Sequence, residues 1–143
     1  MIAYKDDPKL KELLVERCKR HRAQDDFVRM TYGSEITNYN GDAAFNWKGC
    51  ALGCMTHKRE NSHVALETEF GIPLAVGLLV DSLFESLPEE EYRDLPLQVA
   101  ESITVGADLS LVATRFMIRL LSDKKNGTLR LCDERGKSAT EGV

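Results

Sequence analysis

The sequence contains no long apolar run. The longest one, from Ile72 to Val80, is interrupted by Pro73 and Gly77, and it is far shorter than the roughly 20 apolar residues that a membrane-spanning helix needs. The first residues, Met1 to Pro8, also lack the apolar segment of a signal peptide. We therefore predict a cytoplasmic protein that has no membrane partner.

Cysteine and histidine are scarce, with four cysteines and three histidines among 143 residues. The cytoplasm keeps thiols reduced, so cysteines there serve in packing, metal binding or redox chemistry more often than in structural disulfides. Any chemistry of these two residue types is restricted to a few positions, which are Cys18, Cys50, Cys54, Cys132, His21, His57 and His63.

A strong positive charge is absent as well. The chain has 23 acidic and 19 basic side chains, which gives a net charge of −4. Nucleic-acid binding requires clustered Lys and Arg side chains that contact phosphates, and the clearest cluster is formed by Arg17, Lys19, Arg20 and Arg22. Cations near the end of a predicted helix complement the helix dipole and remain in water. Nucleic acid is therefore disfavoured as a partner.

Apolar residues recur mostly at helical spacing, and Pro, Gly and Asp residues mark the ends of the segments. We predict an all-α fold, an irregular bundle of about five to seven helices, in a single domain over residues 1–143 with a frayed tail at 132–143. The predicted helices cover Pro8–Arg29, Trp47–Lys58, a segment from Ser62 to Gly71, Pro73–Leu87, Glu89–Asp94, Leu97–Ser102 and a last helix capped by Asp108, with a loop at Thr31–Asp42 and an extended piece at Thr128–Cys132.

Two of these helices carry a further prediction. The segment Leu74–Val80 is apolar on all sides, which is typical of a helix in the middle of a bundle or in a subunit interface. We therefore predict self-association through residues 72–87. The last helix has an apolar stripe that is predicted to face the core, formed by Leu109, Val112, Ala113, Phe116, Met117, Leu120 and Leu121.

The chemically suggestive segment runs from Lys48 to His63. At 100° per residue, Cys50, Cys54 and His57 fall within about 60° of one another on a helix, and His63 follows after a polar turn. Zn²⁺ prefers tetrahedral sulfur and nitrogen ligands. Cys50, Cys54, His57 and His63 are therefore candidate metal ligands, with zinc as the candidate ion, although their spacing is not that of a zinc finger.

A thiol-active site is the second hypothesis for this segment. Cys50 lies close to Lys48 and to the start of a predicted helix, and both features lower the pKa of a thiol. Cys54 would be the resolving cysteine and His57 the base. The candidate catalytic residues are thus Cys50, Cys54 and His57. Two carboxylates are near enough in sequence to orient the base, Glu60 and Glu67.

Packing alone also explains the segment. A buried free cysteine behaves as a small hydrophobic residue, and Gly49 and Gly53 beside the cysteines would allow another helix to approach closely. Cys18 and His21 are three residues apart in the first predicted helix. They would join the site if that helix packs against it, and otherwise we expect them at the edge of the core.

The stretch Trp47–His57 resembles a segment of an uncharacterised group of small bacterial proteins that share a Lys-Gly-Cys-Ala-x-Gly-Cys-x-x-His core. Later landmarks of the same group are similar to Phe70–Pro73, Asp81–Pro88 and Val105–Ser110, so the resemblance covers about residues 45–120. It implies no activity, because we know of none for the group. Thr104 stands where a proline is expected, and the C-terminal region is shorter than in the group.

Three functions remain open at this point. The first is a metal-binding or thiol-active site at Cys50, Cys54 and His57, with an unknown reaction and substrate. The second is a non-catalytic interaction domain that forms a homo-oligomer and uses its cysteines only in packing. The third, which the acidic charge balance favours least, is a nucleic-acid accessory protein.

Overall fold

The structure, a computed structural model, describes residues 1–36 and 46–131. It is mostly helical with one small two-stranded antiparallel sheet, which confirms the prediction of an irregular all-α bundle. In these two stretches, no helix combines the length and the apolar character that crossing a membrane requires. The chain divides into two compact units, residues 1–109 and residues 110–143, which we describe separately.

The first unit is organised around a short central helix. Its elements in chain order are a 3₁₀ helix at Ala3–Asp6, α1 (Pro8–Gln24), β1 (Ser34–Glu35), β2 (Trp47–Lys48), α2 (Ala51–Thr56), α3 (Ser62–Phe70), α4 (Leu74–Ser86), α5 (Glu89–Tyr92) and α6 (Leu95–Ser102). Helix α2 contacts α1, α3, α4 and α6, and all six of its residues are buried. A helix without a polar face needs such surroundings, so the cysteine-containing segment lies in the middle of the core.

Two helix ends confirm the sequence predictions. Asp7 caps α1, because its carboxylate accepts a hydrogen bond from the Lys9 backbone N–H at 2.9 Å, and Pro8 occupies the first turn, where no N–H is needed. Gly71 ends α3 in the left-handed conformation, with φ of 65°, which glycine adopts without strain. Both predictions rest on residues that are neighbours in the sequence, and the structure confirms both.

The end of α1 differs from the prediction. The helix was expected to reach Arg29, but it ends at Gln24 because Asp25 takes up a left-handed conformation with φ of 58°. The chain then turns back, and the Asp26 backbone N–H donates to the His21 carbonyl oxygen at 2.9 Å. This reversal brings a carboxylate next to a histidine that precedes it by five residues.

The helix predicted over Trp47–Lys58 is shorter than expected. Trp47 and Lys48 form strand β2, which pairs with β1. Cys50 is the N-cap residue, since its sulfur accepts a hydrogen bond from the Gly53 N–H at 3.4 Å, and His57 is the C-cap residue. The prediction that Cys50, Cys54 and His57 share one helical face was therefore wrong, because only Cys54 lies within the helix.

Smaller differences occur at two other helices. The N-cap residue of α3 is Asn61, and Ser62 is the first residue of the helix itself. Helix α6 begins at Leu95 rather than Leu97, with Pro96 in its first turn, where the ring is tolerated because the first N–H groups of a helix have no partner within it. Pro96 was expected to lie between two short helices, but it lies just inside the start of α6.

Helix α4 agrees with its predicted bounds to within one residue. Gly77, Val80 and Phe84 are buried, whereas Leu74 and Leu78 on the outer side are 38% and 52% exposed. The apolar surface of this helix is therefore divided between the core and solvent.

The described part of the second unit contains α7 (Val112–Ser122) and a 3₁₀ helix at Thr128–Leu131, where an extended piece was predicted. Asp108 does not cap α7, and its carboxylate lies 3.3 Å from the amino group of Met1 instead. No residue of α7 is buried. The stripe that was predicted to face the core is therefore not buried along α7, whereas Leu109 before it packs against the core of the first unit. Residues 132–143, which include the predicted tail, lie outside the described residues.

Candidate functional site

Two histidines meet where α1 packs against α2. The Nε2 atom of His21 lies 2.8 Å from the Nε2 atom of His57, a distance at which one nitrogen donates a hydrogen bond to the other. Packing of the first helix against the cysteine segment was the condition under which His21 would join the site. That condition is met, and His21 is fully buried.

Asp26 completes the chain of polar groups. Its Oδ2 atom lies 3.4 Å from the His21 Nδ1 atom, and the residue is only 5% exposed. A carboxylate accepts hydrogen bonds, so we assign the proton to His21 Nδ1. A neutral ring then has Nε2 as an acceptor, and His57 must donate through its own Nε2. This assignment leaves the Nδ1 atom of His57 with a free lone pair.

The position of His57 is held by its backbone and by Trp47. His57 adopts the left-handed conformation, with φ of 54°, which is uncommon for a residue other than glycine. Its N–H donates to the Gly53 carbonyl oxygen at 2.7 Å. The imidazole stacks on the Trp47 ring, with centroids 5.9 Å apart and planes inclined by 10°. His57 is half-buried, so part of this residue is exposed to solvent.

Both histidines are kept neutral by their surroundings. The pKa of His57 is lowered from 6.5 to about 3, mainly by burial and in addition by the positive charge of Arg17 and by the neighbouring His21. Burial also lowers the pKa of His21, although Asp26 opposes this effect. Neutral rings are what the hydrogen-bond assignment requires.

Cys54 is a buried packing residue that contacts the backbone of this site. Its side chain is fully buried, and its thiol donates to the carbonyl oxygens of Gly49, at 3.4 Å, and Asp26, at 3.7 Å. Burial raises the pKa of the Cys54 thiol strongly. Cys18, on α1, is also buried, and burial raises its pKa to about 12. Both sulfurs are therefore protonated packing groups at neutral pH.

Cys50 lies on a different side of α2. It lines a surface cavity of about 270 Å³ and is 4% exposed. Burial raises the pKa of its thiol, and the carboxylates of Asp81 and Glu85 raise it further. The thiol hypothesis requires a lowered pKa, so the environment acts in the opposite direction. The other residues of this cavity are Met30, Thr31 and Tyr32.

The four candidate metal ligands are divided between these places. His57 bonds to His21, Cys54 bonds to backbone carbonyls, Cys50 faces the cavity, and His63 lies 3.3 Å from Asp81 on α4. Within residues 1–36 and 46–131, no three side chains of His, Cys, Asp or Glu are gathered so that they would hold one metal ion.

The carboxylate that orients the histidines was not identified from the sequence. Glu60 and Glu67 were the candidates, but Glu67 accepts a hydrogen bond from the Leu74 backbone N–H at 2.6 Å, and Asp26 acts instead, through His21. The spacing of five residues between His21 and Asp26 matches no helical contact. Asp26 reaches His21 only because α1 ends between these two residues.

The two glycines beside the cysteines allow a close approach of backbone, as the packing hypothesis required. A Cβ atom at Gly53 would overlap the carbonyl oxygen of Tyr32, and one at Gly49 would lie 2.9 Å from the same oxygen. The neighbour is the loop segment at Tyr32 and Gly33, whereas a helix was expected. The glycines thus bring this loop against the Cys50 side of α2.

Comparison of the chain with protein-family models, curated proteins and solved structures gives no match. The resemblance to the group with the Lys-Gly-Cys-Ala-x-Gly-Cys-x-x-His core therefore stays a prediction.

Proposed function

We propose that the protein carries a proton-transfer site at His57, in which Asp26 and His21 orient the ring and share the charge that it takes up. The observation that supports this proposal is the 2.8 Å separation of the two Nε2 atoms, with Asp26 on the far side of His21. A histidine held in one tautomer by a second polar group is the usual arrangement of a general base.

The proton balance of this arrangement is simple. A substrate proton binds to the lone pair of His57 Nδ1, and the ring becomes an imidazolium. The proton on His57 Nε2 then moves across the hydrogen bond to His21 Nε2, which restores a neutral His57 and leaves the positive charge on His21 beside Asp26. The reverse steps release the proton from His57 Nδ1 to the product or to water. Net transfer needs no metal ion and no thiolate, so Cys54 has a positioning role only.

Nuclear magnetic resonance of the imidazole nitrogens tests the hydrogen-bond assignment. We expect His21 as the Nδ1–H tautomer and His57 as the Nε2–H tautomer at neutral pH. In His21→Gln, the ring of His57 should lose its single tautomer, whereas His63→Gln should leave both assignments unchanged. The opposite tautomers, or two rings that titrate independently near pH 6.5, would contradict the proposal.

A reactivity measurement tests the base itself. We expect slow hydrolysis of an activated ester such as p-nitrophenyl acetate, with a rate at least about tenfold lower in His57→Asn. Asparagine is chosen because it tolerates the left-handed backbone. His63→Gln is the matched control and should retain the rate. Equal rates in all three proteins would remove His57 as the reactive group.

A metal or thiol role for Cys50, Cys54 and His57 is the second candidate. It is favoured by the orientation of His57, since metal-binding histidines usually donate their second N–H to a group that fixes the ring. Elemental analysis of untagged protein should then find about one zinc per chain, reduced in His57→Asn and in Cys50→Ala. Metal-free protein with an unchanged melting temperature would exclude this role.

Self-association through residues 72–87 is a third proposal, supported by the exposed leucines on the outer side of α4. A helix face of this kind pairs readily with the same face of a second copy. Light scattering should report a dimer that dissociates in Leu78→Glu, whereas Ser82→Glu, at an exposed polar position one turn later, should dissociate it less. A monomer at high micromolar concentration would contradict the proposal.

A further inference from the structure

Arg17 is placed beside His57 by a hydrogen bond that the proton-transfer site does not need. Its Nη1 atom donates to the carbonyl oxygen of Met55 at 3.0 Å, two residues before His57. Its guanidinium carbon also lies 5.9 Å from the centroid of the Phe70 ring. Arg17 is four residues before His21 on α1, so one helix supplies both a cation and a histidine to the same place.

The Nε–H group of Arg17 is a buried donor without an acceptor. Within the described residues, Arg17 Nε and Trp47 Nε1 are two of the few buried side-chain nitrogens that have no hydrogen-bond partner. Folded proteins pair almost all buried donors, so an unpaired one at a candidate site is a group that an acceptor could satisfy. Trp47 stacks on His57, so both unpaired donors belong to residues next to this ring.

The charges around Arg17 leave its cation uncompensated. The carboxylate that acts on it electrostatically is Glu69, and that side chain lies 3.7 Å from the Lys58 ammonium group. In the part of the chain that the structure describes, Arg17 makes no ion pair within 4 Å. Glu69 therefore serves two cations, Arg17 and Lys58, and Lys58 directly follows His57 in the chain.

We infer that Arg17 binds an oxyanion, the carboxylate or phosphate group of the molecule whose proton reaches His57. This inference rests on the proposed function of His57 and adds the class of its substrate. The edge of a guanidinium that includes Nε matches two oxygens of such a group in a bidentate pair. A lysine at this position would supply the charge without that edge.

The bound anion also has a consequence for the base. Arg17 opposes a positive charge on His57, and an anion paired with Arg17 removes much of that opposition. Binding of the substrate therefore makes His57 a stronger base at the moment when it is needed. An ion without any proton to transfer, such as inorganic phosphate or acetate, should produce the same change.

Titration of the protein with inorganic phosphate and, separately, with acetate tests this inference. We expect a saturable shift of the His57 ring resonances and of the Arg17 Nε–H resonance with at least one of the two ions, and the ion that binds tells which group is preferred. Arg17→Gln should lose the shift. Arg20→Gln, on the exposed side of the same helix, should retain it.

Arg17→Lys separates the bidentate edge from the charge. We expect at least about tenfold weaker binding of the ion in this variant, since it keeps a cation but has no Nε–H donor. Equal binding by Arg17→Lys and the natural protein, or a saturable shift that persists in Arg17→Gln, would overturn the inference. The tautomers of His21 and His57 are measured without any ion, so a failure of the proton-transfer site is seen independently of a failure of anion binding.

Discussion

The two ends of α2 present opposite electrical environments. At its start, Cys50 faces Asp81 and Glu85, which disfavour a negative thiolate. At its end, His57 lies near Arg17, which disfavours a positive imidazolium. Burial keeps each end residue neutral, and a nearby charge of the sign that its own ion would carry acts in the same direction. A neutral thiol has little reactivity, whereas a neutral imidazole has a free lone pair and acts as a base. The same physical effect therefore lowers the reactivity of the thiol at one end of the helix and weakens the imidazole as a base at the other, until a counter-charge offsets it.

Gly53 is hydrogen-bonded to both end residues of α2. We expect its substitution to change the free energy of unfolding more than the other changes considered below. Its N–H bonds to Cys50 and its carbonyl accepts from His57. In Gly53→Ala the new Cβ atom would overlap the Tyr32 carbonyl oxygen, so we expect a loss of about 3 kcal/mol in the free energy of unfolding. Urea denaturation measures this loss.

Gly77→Ala is the matched control for that prediction. Gly77 is also buried in a helix, but a Cβ atom there would be 3.4 Å from the flexible end of Leu66, which is an ordinary contact. We expect a change within about 1 kcal/mol. Similar losses in both variants would show that the close approach of Tyr32 is not what restricts position 53.

The pH dependence of stability should report on the His57 end of α2, because folding lowers the pKa of this histidine. Its pKa falls from 6.5 in the unfolded chain to about 3 in the folded protein, so the unfolded state binds more protons between these values. Stability is therefore full above pH 6.5 and falls as the pH is lowered towards 3. We expect a loss of about 2 kcal/mol between pH 7 and pH 4, less than full linkage predicts because the ring is partly exposed to solvent.

Urea midpoints at pH 7, 5.5 and 4 measure this slope. His57→Asn should flatten it, and His63→Gln should leave it as it is in the natural protein. His21 contributes in the same direction, since burial lowers its pKa too. A slope that His57→Asn leaves unchanged would assign the pH dependence to other groups and would contradict the low pKa of His57.

A change of charge near Cys50, at the start of α2, should have the smallest of these effects. Glu85→Gln removes one of the carboxylates that raise the pKa of Cys50, so we expect its reaction with a thiol reagent at pH 8 to be about threefold faster. Glu89→Gln, an exposed carboxylate on α5, is the control and should not change the rate. Unaltered reactivity in Glu85→Gln would show that Glu85 contributes little to the suppression of the thiolate, which would then rest on burial and Asp81.

Local signals in the sequence were sufficient for many of the helices. Asp7 with Pro8, and Gly71 at the end of α3, define helix ends through contacts within a few residues. Pro73 and Pro88 predicted the bounds of α4 to within one residue, because proline is tolerated at a helix start and cannot continue a helix. These features depend on neighbours along the chain, which a sequence displays directly.

The candidate site was predicted only in part. His57 was named as a base, and Cys50 and Cys54 were named with it, but the polar groups that the structure gathers at His57 are His21, Asp26 and Arg17. All three lie more than 30 residues away in the chain. No periodicity connects residues at such a separation, so their contact with His57 had no signal of its own.

The sequence alone determined that this chain is helical, where several of its helices begin and end, and that its rare histidines and cysteines concentrate near α2. The tertiary structure decided which of them meet. The left-handed turn at Asp25 returns Asp26 to His21, and the packing of α1 on α2 presses His21 against His57 and encloses Cys54. Burial and nearby charge then set the protonation of each group, and both are properties of three-dimensional surroundings that no local pattern contains.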